Sequence, residues 1–227
     1  MDKPIIGIVS KIVKDSEGRD AFFANTNICE KIIINGAIPI TLNYTTLKKY
    51  DEKVEDITVG EIDAETMQQI KLCDGIILQG GINYSTYEVN IAKYVLDNDI
   101  PVLGICAGMN CLIKAGGGNF RRDTNREIHQ NRYNNLAAHK VSISKNSLLY
   151  DILKVEELYV NSVHTRTSTN TGIYEPIAYS EDGLIEAVEL KNKKFNLGVQ
   201  WHPEEFDINS NNNDIFKTFI RRCIKWI

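Results

Sequence analysis

The chain has 227 residues, 43% of them hydrophobic and 25% charged, with a net charge of -4. That size and make-up suit one α/β domain or two small ones, with enough chain to bury a large core. No basic stretch would neutralise many phosphates, which excludes nucleic acid as an expected partner. No apolar run reaches the length of a signal-peptide core or a membrane span, so no membrane association is expected and a cytoplasmic location is.

The first half alternates short apolar runs with helical stretches. Residues 4–9 read as a strand, and 25–35 as a helix with Ile28, Ile32 and Ile33 on one face and Gly36 as its stop. Residues 37–42 form a second strand. Asp63 caps a short helix to Leu72, and 74–78 form a third strand ending at Gly80-Gly81. Residues 85–98 are helical, 101–105 form a fourth strand, and a helix from near Cys106 fades at Gly116-Gly117-Gly118. Fully apolar strands between helices predict a mostly parallel sheet with helices on both faces. The second half is different: 140–144, 157–160, 177–180, 184–190 and 196–201 are short strands with few helices between, which predicts an antiparallel extension. A closing helix over 214–227 places Ile215, Phe219, Cys223 and Trp226 on one stripe. With no linker, repeat or low-complexity block, residues 1–227 read as one α/β domain.

Five cysteines (Cys29, Cys73, Cys106, Cys111 and Cys223), with no C-x-x-C spacing and no export signal, argue against a disulfide framework. Most read as small core residues. Cys106 is different, because Gly104-Ile105-Cys106-Ala107-Gly108 is a G-x-C-x-G sequence between a strand and a helix. This is the nucleophile-elbow arrangement with sulfur in place of oxygen. The glycines permit the tight turn, and the helix N-terminus favours thiolate. The alternative is a buried core cysteine flanked by chance glycines. The second motif is Gly198-Val199-Gln200-Trp201-His202-Pro203-Glu204. In extended chain His202 and Glu204 point to the same side, giving a base beside a carboxylate that orients it. Alone, such a His-x-Glu is a weak signal.

Together these motifs resemble the class I glutamine amidotransferases. Gly80-Gly81, Val160-Asn161-Ser162-Val163-His164 and Asp182-Gly183-Leu184-Ile185-Glu186-Ala187 narrow the resemblance to the gamma-glutamyl-gamma-aminobutyrate hydrolase family of peptidases. It covers nearly the whole chain. It implies a flavodoxin-like fold, with Cys106 as nucleophile, His202 as base and Glu204 as orienter. Backbone N–H groups at Gly81 and Ala107 would form the oxyanion hole. Gly80, Asn110 and His164 would lie against a small-molecule γ-glutamyl substrate. A simple turn is the lesser alternative for Gly80-Gly81, while His164 reads equally as a structural loop residue.

The sequence departs from the family pattern at Asn110, Ala107, Gln79-Gly80-Gly81-Ile82-Asn83 and Thr165-Arg166. These positions fall where the substrate would lie and leave its identity open. His129 and His139 read as surface or structural residues. No set of Cys, His, Asp and Glu has metal-ligand spacing, so neither metal nor cofactor is expected. The glycine triplet lacks a following Lys-Ser/Thr and reads as a helix stop. The expected activity is cysteine-dependent hydrolysis of γ-glutamyl amide bonds. A glutaminase subunit feeding ammonia to a synthase and a non-catalytic binding protein are the alternatives. Base rate leaves a homodimer open.

Overall fold

A computed structural model describes residues 2–45, 53–82, 84–122, 125–130 and 136–224. The first strand, β1 (Ile5–Val9), leads into a hairpin of β2 (Lys11–Lys14) and β3 (Asp20–Phe23). Helix α1 (Thr26–Ile34) follows, its first turn capped by Asn25, whose side chain accepts the N–H of Asn27. Ile28 and Ile32 are buried, but Ile33 is 57% exposed and leaves the predicted face. Five positions beyond Ile28, it has rotated off the stripe, and Lys31 lies inside it, donating to the carbonyl of Phe206.

Then come β4 (Ile38–Leu42), α2 (Ala64–Lys71), β5 (Gly75–Leu78), α3 (Thr86–Asp97), β6 (Val102–Ile105) and α4 (Ala107–Ala115). Asp63 and Ser85 cap α2 and α3 as their side chains predict. Gly116 and Gly117 end α4 as expected. The second half adds β7 (Asn119–Arg121), α5 (Arg126–His129), β8 (His139–Ile143), α6 (Leu148–Leu153), β9 (Glu157–Val160), β10 (Thr167–Asn170), β11 (Glu175–Ser180), β12 (Ile185–Glu189), β13 (Asn196–Val199) and α7 (Asn213–Cys223). In α7, Ile215, Phe219 and Cys223 are buried as the stripe requires; Trp226 lies outside the described residues.

Nine strands form one sheet in the order β4-β1-β5-β6-β13-β12-β11-β8-β9. It is parallel from β4 to β13 and antiparallel from β13 to β9, the expected parallel sheet with its antiparallel extension. The strand side chains alternate between two cores. Ile77, Leu103 and Ile105 pack with α1 and α7, while Ile76, Leu78 and Val102 pack with α3 and α4. Strands buried on both faces are therefore apolar at every position, which is what makes them readable. No helix among the described residues is long and apolar enough to cross a membrane.

Candidate active site

Strand β6 lies between β5 and β13, so its carboxyl end opens inside the parallel half, flanked by strands on both sides. Cys106 sits at that end. Its N–H donates to the Val199 carbonyl at 2.8 Å, and its backbone has φ 50° and ψ -105°. For a non-glycine residue this conformation costs about 1–3 kcal/mol and is held only by what surrounds it. The two glycines are obligatory neighbours. A Cβ on Gly108 would lie 1.9 Å from the Leu78 carbonyl oxygen, and one on Gly104 would lie 2.8 Å from the Gly108 carbonyl carbon. Bare backbone lets α4 settle against β5 and β6, and this seats the thiol at the helix N-terminus.

His202 arrives from the neighbouring strand. Trp201, fully buried, anchors the segment by donating from Nε1 to Asn212 Oδ1 at 2.9 Å. Asn161 grips the His202 backbone from both sides, accepting its N–H at 2.8 Å and donating to its carbonyl at 3.0 Å. The expected extended path from His202 to Glu204 is not what forms. Strand β13 stops at Val199, and Pro203–Glu205 make a 3-10 turn. Proline suits the first position of such a turn, and the turn swings the Glu204 carboxylate back to His202. Glu204 Oε1 lies 2.8 Å from His202 Nδ1 and also accepts from Asn25 Nδ2 at 3.4 Å. Asn25 is held by Gln79, whose Oε1 accepts its N–H while Nε2 donates to the carbonyls of Val9 and Phe23.

The side chains of Cys106 and His202 are close enough for their charges to interact, and Cys106, His202 and Glu204 are only 7%, 3% and 3% exposed. Burial opposes charge on Cys106, yet the positive charge of His202 outweighs it and holds the thiol below its ordinary value. Burial likewise opposes the imidazolium, and the charges of Glu204 and Cys106 overcome it, raising His202 well above its usual range. The other described cysteines go the opposite way: burial pushes Cys73 up to about 12 and raises Cys29, Cys111 and Cys223. A thiolate–imidazolium pair braced by a carboxylate is equipped for nucleophilic attack on a carbonyl.

The remaining predicted positions gather around this pair. Gly80 faces the imidazole, where a Cβ would come within 2.5 Å of Cε1. Gly81 packs on the Lys11 side chain, which ion-pairs with buried Glu88 at 2.5 Å. Ala107 opens α4, so its N–H is among the helix's first donors, which have no intrahelical acceptor. Asn110, one turn on, donates to Tyr84 Oη at 2.7 Å, and its Oδ1 makes no hydrogen bond among the described residues. Asn83 lies outside the described residues. Arg166 donates to Glu55 at 2.9 Å and stands 5.2 Å from the centre of the Tyr84 ring. His164 is 5% exposed and close enough to Cys106 for their charges to interact, but its Nε2 faces Glu186 at 3.4 Å. His129 and His139 are buried in the same place rather than at the surface. Sequence reading gave no role to Asn161 and Gln79, which it noted only within motifs, or to Asn25, which it noted only as a helix start.

The Peptidase C26 family model matches residues 4–204. This chain belongs to that family. Membership brings an enzyme class with it, a hydrolase acting on amide bonds on the class I glutamine amidotransferase fold. Gamma-glutamyl-gamma-aminobutyrate hydrolase PuuD of Escherichia coli strain K12 is 26% identical, with 98% of this chain and 94% of that protein aligned. A glutamine amidotransferase-like protein of Rickettsia prowazekii is 24% identical over 97% and 98% of the two chains. Among solved structures, the CTPS glutaminase domain of Trypanosoma brucei with bound acivicin superposes with a TM-score of 0.66 at 19% identity, covering 97% of this chain and 94% of that one. At that identity the likeness speaks to the fold.

Proposed function

We propose that this chain hydrolyses γ-glutamyl amide bonds through a γ-glutamyl thioester on Cys106. The observation that carries the reading is Cys106 at the strained head of α4, buried beside an imidazole whose Nδ1 is held by Glu204 at 2.8 Å. The Cys106 thiolate attacks the amide carbonyl, and the oxyanion forms against the backbone N–H groups of Gly81 and Ala107. Each such donor is worth about 3 kcal/mol in comparable sites. The His202 imidazolium gives its proton to the departing amine as the C–N bond breaks. Water then attacks the thioester, neutral His202 takes its proton, and the C–S bond breaks to release glutamate and restore the thiolate. Gly80 and Asn110 form the wall beside the acyl group, and the PuuD likeness supports a γ-glutamyl amine as substrate.

The test is a turnover screen of purified protein over glutamine and a panel of γ-glutamyl amines and peptides, with Cys106→Ala in parallel. The parent should release glutamate from a γ-glutamyl amine without any partner protein, and the variant should fold normally and be inactive. Retained activity in Cys106→Ala would refute the mechanism. Glutamine turnover that appears only with a synthase added would favour the subunit reading instead.

A further inference from the structure

A second polar cluster lies beside the candidate site, built from four segments far apart in sequence. His129 ends α5, His139 begins β8, His164 follows β9, and Glu186 sits in β12. Their candidate ligand atoms all lie within 4.8 Å of one another, and all four residues are buried. Each imidazole is tied from outside by one nitrogen. His129 Nε2 lies 3.1 Å from both Asp182 oxygens, His139 Nδ1 3.3 Å from the Lys140 carbonyl and His164 Nδ1 2.9 Å from the Arg166 carbonyl. Acceptors at those positions call for N–H groups there, so in neutral rings the inner nitrogens present lone pairs.

Those inner nitrogens converge on one carboxylate oxygen. His164 Nε2, His129 Nδ1 and His139 Nε2 stand 3.4, 3.5 and 3.7 Å from Glu186 Oε1. The distances exceed those of ordinary N–H···O bonds. Neither Glu186 carboxylate oxygen makes a hydrogen bond among the described residues, although the residue is fully buried. Ser162 Oγ, 3.4 Å from His129 Nδ1, also reaches the His129 carbonyl at 3.2 Å, so its single proton does not resolve the crowding. A proton on His164 could bridge one nitrogen to Glu186, whereas a cation between them would satisfy all three nitrogens and the carboxylate together.

We propose that His129, His139, His164 and Glu186 form a four-coordinate site for a divalent d-block cation, zinc above all. Nitrogen ligands near 2.0–2.1 Å and a carboxylate oxygen near 2.0–2.2 Å around tetrahedral zinc stand about 3.3–3.4 Å apart, close to the three nitrogen-to-Glu186 distances; the full set spreads to within 4.8 Å and would draw together on the ion. Three imidazoles disfavour magnesium and calcium, which take oxygen ligands. Asp182 behind His129 is the outer carboxylate that metal-bound histidines commonly have, and with Glu186 it balances the ion's two charges. Four protein ligands close the site, so the metal is structural. It staples α5 and the His164 segment to the antiparallel half of the sheet, next to Cys106. The site does not depend on the amide chemistry proposed above.

The test uses the full chain without a histidine tag. Metal content is measured on purified protein, which is then stripped with a chelator and titrated with zinc or cobalt(II). About one zinc per chain, a raised Tm on zinc addition and the strong visible bands of four-coordinate cobalt are expected. His139→Asn and Glu186→Gln should each abolish this binding. Asp182→Asn, at a partly exposed position, should fold and bind about 10–100-fold more weakly. Binding should survive Cys106→Ala, which separates it from metal capture by the thiolate. Folded parent protein that takes up neither metal overturns the proposal, as does binding that persists in both ligand variants or vanishes with Cys106→Ala.

Discussion

Gly80→Ala isolates the contact between the glycine wall and the imidazole. The new Cβ would lie 2.5 Å from His202 Cε1, 3.3 Å from Nδ1 and 3.4 Å from Nε2. Carbon atoms rest at about 3.5–4.0 Å, so the ring must retreat by about 1 Å. It has little freedom to do so, since Glu204 holds Nδ1 and Asn161 holds the backbone on both sides. A displacement of about 1 Å in a reacting group costs about 10²-fold, close to 2.7 kcal/mol of barrier. Two assays read this: kcat/KM on the γ-glutamyl amine found by the screen, and the rate of Cys106 alkylation by iodoacetamide at neutral pH. Both should fall, while Tm should change by only a few degrees. Both rates staying within threefold of the parent, in a protein shown to be folded, would refute the claim that Gly80 sets the position of His202.

Other expectations follow from neighbouring contacts. The Cys106 thiol lies below its ordinary 9.0 while Cys29 lies above its own, so alkylation of Cys106 should reach its plateau at a pH where Cys29 is still unreactive; mass spectrometry of the two peptides checks this. Turnover should fall on the acid side as the thiolate is protonated, and on the alkaline side as His202 loses its proton, well above its usual 6.5. Glu204→Gln removes the charge that sustains the imidazolium, so the alkaline limb should move to lower pH, with a smaller loss of rate than in Cys106→Ala. Asn161→Ala leaves the buried N–H and carbonyl of His202 without partners, which should cost about 2–4 kcal/mol in denaturant unfolding along with a loss of kcat. Lys11→Met strands the Glu88 carboxylate at 2% side-chain exposure, for about 3–5 kcal/mol, and Lys11→Met with Glu88→Gln should recover much of it.

The parallel half of the fold was legible because strands buried on both faces have no polar positions to blur them: β5 and β6 are apolar at every residue with a side chain. The cap at Asp63 and the helix starts at Asn25 and Ser85 were equally plain, since each is a short polar side chain at the head of an apolar periodic stretch. The hairpin of β2 and β3 was missed, as was the small pairing of β7 with β10. Neither carries the apolar run of a buried strand: Phe22 and Phe23 are nearly half exposed, and Thr167–Asn170 contains no hydrophobic residue. The elbow was readable because its glycines, cysteine and helix are contiguous. The cluster around Glu186 was not, because its histidines lie 10 and 25 residues apart, and it takes the pairing of β8 with β9 and β11, of β11 with β12, and the His164 N–H bond to the His129 carbonyl to bring them to one place. The role of His202-x-Glu204 was readable but its geometry was not: Pro203 bends the chain into a turn where alternation along a strand was expected.

Gln79 has a consequence beyond local tidiness. One amide group braces the end of β1, the foot of the hairpin and the cap of α1, and that cap touches the carboxylate that keeps His202 charged. The firmness of the hairpin and the charge on His202 are thereby tied together. Loosening the hairpin would tug on Gln79 and then Asn25, and would slacken the grip of Glu204 on the imidazole.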